Sequence, residues 1–174
     1  MATGWLGLLL AAAVGCSNGT IQQGDAKLPA DESSAGYIDR MSSQLTVSEN
    51  DAMRGVLMLL EGNDQTETFQ QRVETLRTRE LIADTWDLQA DTPITKGKLA
   101  YMIYQATEPT PSLTLALFGP SQRYCLRNLQ HLGVMAEGSW FTPVTGMEMV
   151  AVLNRADHMI QTGQPPHVLN LKGE

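Results

Sequence analysis

Few side chains in this sequence are typed and spaced for chemistry. Two thiols come first, Cys16 and Cys125. Cys16 follows Ala13-Val14-Gly15. Small residues let a strand enter a narrow protease site, and a thiol just beyond the cut is a nucleophile able to take up a diacylglyceryl group. Cys125 reads as a small buried hydrophobe. His131, His158 and His167 are scattered without metal-ligand spacing. Asp157 and His158 are neighbours in a helical pattern and therefore point apart. Cys125 and His131 lie six positions apart on different parts of one helix, so a Cys/His pair would have to be built in three dimensions. There is no Gly-rich phosphate loop, His-Glu-x-x-His, Cys-x-x-Cys or nucleophile elbow. The acidic turn Glu61-Gly62-Asn63-Asp64, with Glu67, lacks the alternating ligands of a calcium loop, and Asp64 or Thr66 is expected to cap a helix instead. Neither a metal nor a cofactor is expected. What remains is aromatic and basic. Trp86 and Trp140 sit in loops, and Lys96, Lys98, Tyr101 and Tyr104 form a small basic-aromatic face. A loop tryptophan either fills a gap between helices or stacks on a sugar ring.

Charge narrows the range of partners. Twelve Lys and Arg against nineteen Asp and Glu leave a net charge of -7, and no charged residue precedes Asp25. Such a domain is repelled by phosphate backbones, so nucleic acid is not an expected partner. At 43% hydrophobic residues a core can form, but with 6% aromatics it must be built from Leu, Val, Ile, Met and Ala.

The chain divides by composition. Trp5 to Val14 is an uncharged run of signal-peptide length, too short to span a bilayer. It ends in Ala13-Val14-Gly15-Cys16. This arrangement resembles the lipobox of bacterial lipoproteins, although Met1-Ala2-Thr3-Gly4 lacks the basic start common to such signals. The resemblance implies cleavage before Cys16, lipid on that cysteine, and a membrane as partner through the lipid. Ser17, where an inner-membrane protein tends to carry Asp, implies an outer-membrane address facing the periplasm in a double-membraned bacterium. Residues 1–15 are thus expected to be a signal peptide and 16–35 a lipidated, flexible tether rich in Ser, Gly, Asp and Gln. Residues 36–162 form the domain, and 163–174, with Pro165-Pro166, an irregular tail.

Within the domain a pattern recurs. Val47-Ser48, Ile94-Thr95 and Val144-Thr145 each place a β-branched apolar residue before a hydroxyl. From the hydroxyl, apolar or small residues follow at +4, +7, +8 and +11, one face of a helix. Ser48, Thr95 and Thr145 are therefore expected N-caps, with Glu148 closing a capping box on Thr145. Further helices are expected over about 65–79, from Phe69, Val73 and Leu76, and over about 121–132, from Leu126, Leu129 and Leu132. Thr110-Pro111 to Phe118 reads as an extra short helix or turn. The unit is helix, tryptophan loop, proline, capped helix. It occurs twice, after a solitary capped helix over 47–61. The fold class is all-α, a small repeat-like domain of five to six helices.

These units resemble S-layer homology repeats over residues 47–160. The family's second helix starts with an apolar residue and Thr-Arg-Ala-Glu, where this chain has Thr95-Lys96-Gly97-Lys98 and Thr145-Gly146-Met147-Glu148. The resemblance implies binding of cell-wall glycan, for which Trp86, Lys96, Tyr101 and Trp140 are the candidate residues. The expected function is a non-catalytic envelope lipoprotein docking onto wall glycan or another envelope protein. The alternative is an envelope hydrolase with a site assembled from dispersed acids or Cys/His. Radiolabelled palmitate should enter the wild-type chain in cells and not Cys16→Ser; equal labelling of both would remove the lipid anchor.

Overall fold

The computed structural model describes residues 34–166. Cys16, the expected signal peptide, nearly all of the tether and the tail from His167 lie outside the described residues. The described chain is all-helical. Its elements are α1 (Ser34–Ser42), α2 (Glu49–Glu61), α3 (Phe69–Thr78), α4 (Lys96–Thr107), α5 (Leu113–Phe118), α6 (Gln122–His131) and α7 (Gly146–Thr162). No helix among them is long and apolar enough to cross a membrane.

Three helices begin where the pattern places them. Ser48, Thr95 and Thr145 adopt extended backbone and accept from the amides of Asp51, Lys98 and Glu148, capping α2, α4 and α7. The apolar faces that follow pack into one core. Ala52, Val56, Leu99, Met102, Ile103, Met149, Val152 and Ala156 are all buried. The three helices contact one another and form a central triangle.

An outer helix covers each edge. α3 packs on α2, α6 on α4, and α1 on α7. Each central helix thus carries the outer helix of the next unit, and the third pairing closes the circle. The first unit is therefore not solitary: α1 is its outer helix, starting two residues inside the expected tether. It escapes the sequence pattern because, of its residues 35–42, only Tyr37 and Met41 are buried. Seven helices are present among the described residues, where five to six were expected.

The starts of the central helices meet in a closed ring of backbone bonds. The Ile94 amide donates to the Val47 carbonyl at 2.8 Å, Val144 to Ile94 at 3.0 Å, and Val47 to Val144 at 2.9 Å. The residues that the sequence repeats before each cap are these three, and all are buried. Around them the next amides find partners too. Glu49 and Lys96 donate to Thr92 and Thr142, the residues before Pro93 and Pro143, while Gly146 donates to Gln44. One position further on, Asn50 and Gly97 donate to the Ala90 and Trp140 carbonyls.

Glycine is required where this joint is tightest. A Cβ on Gly146 would lie 1.8 Å from the Met41 carbonyl oxygen, and one on Gly97 would lie 2.8 Å from that of Trp140. Side chains at these places would push the outer segments away from the helix starts.

Two local expectations are corrected. α3 starts at Phe69 under a Thr68–Gln71 capping box, not at Gln65 under Asp64 or Thr66. Asp64 is taken by the turn and by Arg72: it accepts from Thr66 and meets Arg72 Nε at 2.5 Å, both side chains being buried. Arg72 also donates to Asn50 and to the Thr66 carbonyl, which fastens α3 to the start of α2. At Thr145 the capping box is half-made. The hydroxyl accepts from the Glu148 amide, but the Glu148 carboxylate turns to Lys96.

Thr145→Ala should lower stability by about 1 kcal/mol through loss of one cap. Gly146→Ala should cost more, about 1–3 kcal/mol, because methyl and carbonyl cannot share that space. Denaturant midpoints of the two variants compare them directly, and a Gly146→Ala midpoint equal to wild type would show that α1 does not seat against α7 as described.

Candidate functional site

The cap end of the domain has three junctions, one between each pair of successive units. Each is built from the positions one and three residues past a cap. At the first junction Glu49 of α2 faces Lys98 of α4 in a close ion pair. Glu49 is almost wholly buried, and its second oxygen accepts from the Gln89 amide at 2.8 Å. At the second, Lys96 of α4 meets Glu148 of α7 at 2.7 Å, with side chains only 9% and 14% exposed. At the third, Gly146 holds the position that carried Glu49 and Lys96. Asp51 instead takes Arg40 at 3.3 Å and Gln44 at 3.2 Å, both from outside the central helices. The first two junctions pair the same positions with the sign reversed, and the third departs from that rule.

The candidate residues divide between junctions. Trp86 and Tyr101 come together at the first, edge to face, with ring centres 5.3 Å apart. Lys98, not Lys96, lies over the Trp86 ring at 5.8 Å and donates to the Asp87 carbonyl. Trp86 and Tyr101 are half-buried and pack on the core. Burial raises the Tyr101 phenol, with Cys125, Glu80 and Asp84 adding to the shift, so it stays a neutral hydroxyl at neutral pH. Lys96 belongs to the second junction. Its ammonium donates to the Glu137 carbonyl at 3.0 Å and pairs with Glu148, which leaves it buried and neutralised rather than presented to an anion.

Trp140 is different from Trp86. It is 46% exposed, and its neighbour Phe141 is 65% exposed, the two rings meeting edge to face with centres 5.9 Å apart. The Trp140 backbone is fixed by the Gly97 amide at 2.8 Å, and a Cβ on Gly138 would meet the Lys96 ammonium at 2.7 Å. The second tryptophan loop therefore displays two aromatic faces on a rigid base. Phe141 was not a candidate from the sequence. Its signal was local: it follows Trp140 in the loop, two residues before Pro143.

Among the described residues no group of three or more His, Cys, Asp or Glu is placed to hold a metal ion. Cys125 is fully buried, and desolvation pushes its thiol up to about 12 despite hydrogen bonding that lowers it. A thiol so placed is not a nucleophile at neutral pH. The starts of α2 and α4 offer no anion site either, because their first three amides are bonded to a neighbouring loop or to the cap hydroxyl. The arrangement can present aromatic faces and hydrogen-bonding loops to a partner.

No family model matches the chain, and neither a curated protein nor a solved structure does.

Lys96→Ala strands Glu148 in a nearly dry junction and should cost about 3 kcal/mol. The double exchange Lys96→Glu with Glu148→Lys should recover part of that loss, since it mimics the sign order of the first junction. Urea unfolding of wild type, single and double variants checks both; a fully exposed lysine would instead give a single-variant loss below about 1 kcal/mol.

Proposed function

We propose that this chain is a non-catalytic lipoprotein of the cell envelope whose helical domain docks onto wall glycan. The lipobox-like residues around Cys16 support the anchor and an outer-membrane address facing the periplasm. The resemblance of the units to S-layer homology repeats supports the glycan. One observation carries the choice of contact surface: the Trp140–Phe141 pair, with both rings exposed beside a backbone held by α4. Aromatic faces of this size stack on the apolar face of a pyranose ring, and a fixed base keeps the entropy cost of binding low.

The lysines contribute less than the sequence implied. Lys96 and Lys98 are both committed to carboxylates within the domain. With a net charge of -7, the domain has little to hold an anionic polymer by charge. Retention on wall material should therefore change little with salt.

Trp140→Ala should lower retention of the domain on isolated wall material by about fivefold or more, a loss of roughly 1 kcal/mol, with the circular dichroism spectrum unchanged. Trp86→Ala should lower the thermal midpoint instead, since its ring packs against Tyr101 and the core. Unchanged retention of Trp140→Ala would move the contact elsewhere. Capture of an envelope protein with no glycan retention would replace glycan by that protein as the partner.

A further inference from the structure

An open cavity of about 430 Å³ lies between α1, α2 and α7. Its lining includes Tyr37 and Ile38 of α1, Met58 and Leu59 of α2, and Leu153 and Asp157 of α7. The other two units fill the corresponding place. In the second unit the chain leaving α3 buries Leu81 and Ile82, and Gln105 of α4 donates to the Glu80 carbonyl beside them. In the third, the chain leaving α6 buries Val134 and Met135, and Arg155 of α7 donates to the Val134 carbonyl. Gln105 and Arg155 both stand ten residues past their caps, Thr95 and Thr145. Ten residues past Ser48 stands Met58, on the cavity wall. The neighbouring helices also correspond: an outer helix, its own central helix, and the central helix before it in the circle.

The first unit has nothing to place there. The second and third have residues 79–95 and 132–145 between outer and central helix, whereas the first has only 43–48. Its one large apolar side chain before Val47 is Leu45, 89% exposed.

We propose that the segment following α7 fills this cavity, with Val168-Leu169 taking the role of Leu81-Ile82 and Val134-Met135. The sequence there is His167-Val168-Leu169-Asn170-Leu171-Lys172, an apolar pair followed by a third apolar residue and a cation. α7 lines the cavity and ends at Thr162, five residues past Asp157, or roughly 8 Å along the helix. An extended chain covers about 3.3 Å per residue, so Val168-Leu169 reaches the cavity from Gly163 with length to spare. Lys172 then comes within range of Asp157, the one carboxylate on the lining. The preceding segment, 17–33, is mostly polar and has no adjacent pair of large apolar side chains. The inference is independent of the glycan reading.

Hydrogen exchange on the full chain tests the proposal without a mutation. The amides of Val168 to Leu171 should exchange about tenfold or more slowly than in an unstructured chain. Ending the chain after Pro166 should raise the fluorescence of added anilinonaphthalene sulfonate, which reports exposed apolar surface, and lower the denaturant midpoint. The full-length V168D/L169D variant should do the same. Exchange of these amides at the unstructured rate overturns the proposal. So does slowing confined to residues 17–33, or a truncated chain with unaltered fluorescence and midpoint.

Discussion

The first amides of a helix have no partner inside it, and this fold depends on where those amides go. Each central helix must satisfy its opening donors in a place that water does not reach freely. The solution is cyclic. The residue before each cap bonds to its counterpart in another unit, the residue after the cap bonds to a carbonyl of the incoming connection, and the cap hydroxyl takes the third position's amide. At two of the junctions the accepting carbonyl belongs to a threonine directly before a proline, Thr92 before Pro93 and Thr142 before Pro143. The proline, the β-branched residue and the hydroxyl of the repeat are thus parts of one device.

Charge is distributed over the same frame. Buried ion pairs are poor sources of stability but strict about their partners, since a mismatched neighbour leaves a charge unpaired. Here Glu49 with Lys98 and Lys96 with Glu148 use opposite signs at equivalent positions, and the third junction replaces the pattern with Gly146 and an arginine from α1. The three junctions therefore cannot exchange roles. That accounts for lysines in an acidic domain without assigning them a ligand.

What the sequence discloses and what it hides follow from the range of the forces. Caps are decided within three residues, so Ser48, Thr95 and Thr145 could be placed from type and spacing alone. The start of α3 could not, because Asp64, Thr66 and Thr68 are all competent caps and the choice was made by Arg72. α1 stayed hidden since its burial comes from α7, more than a hundred residues away, and not from its own periodicity. Trp86 and Trp140 occupy equivalent places in the pattern, yet one packs under Lys98 and the other faces solvent with Phe141. Lys96 read as a surface cation because nothing near it in sequence reveals Glu148. Local chemistry gave the framework of the site, and long-range pairing decided which of its side chains are available.

The closing contact of the circle has a kinetic meaning. Val47 and Val144 are joined directly, although they are separated by nearly the whole domain. Bringing together points roughly a hundred residues apart costs on the order of 4 kcal/mol of chain entropy before any contact repays it. The first two units can dock on each other as soon as they exist, but the buried carbonyl of Val144 reaches Val47 only once α7 has been made. Until then α1 lacks the helix it packs on, and the amide of Val47 has no acceptor. The domain is thus a lock whose closing tumbler is α7: a chain emerging from its N-terminus stays open, and available to whatever handles unfolded chains, until α7 has been synthesised.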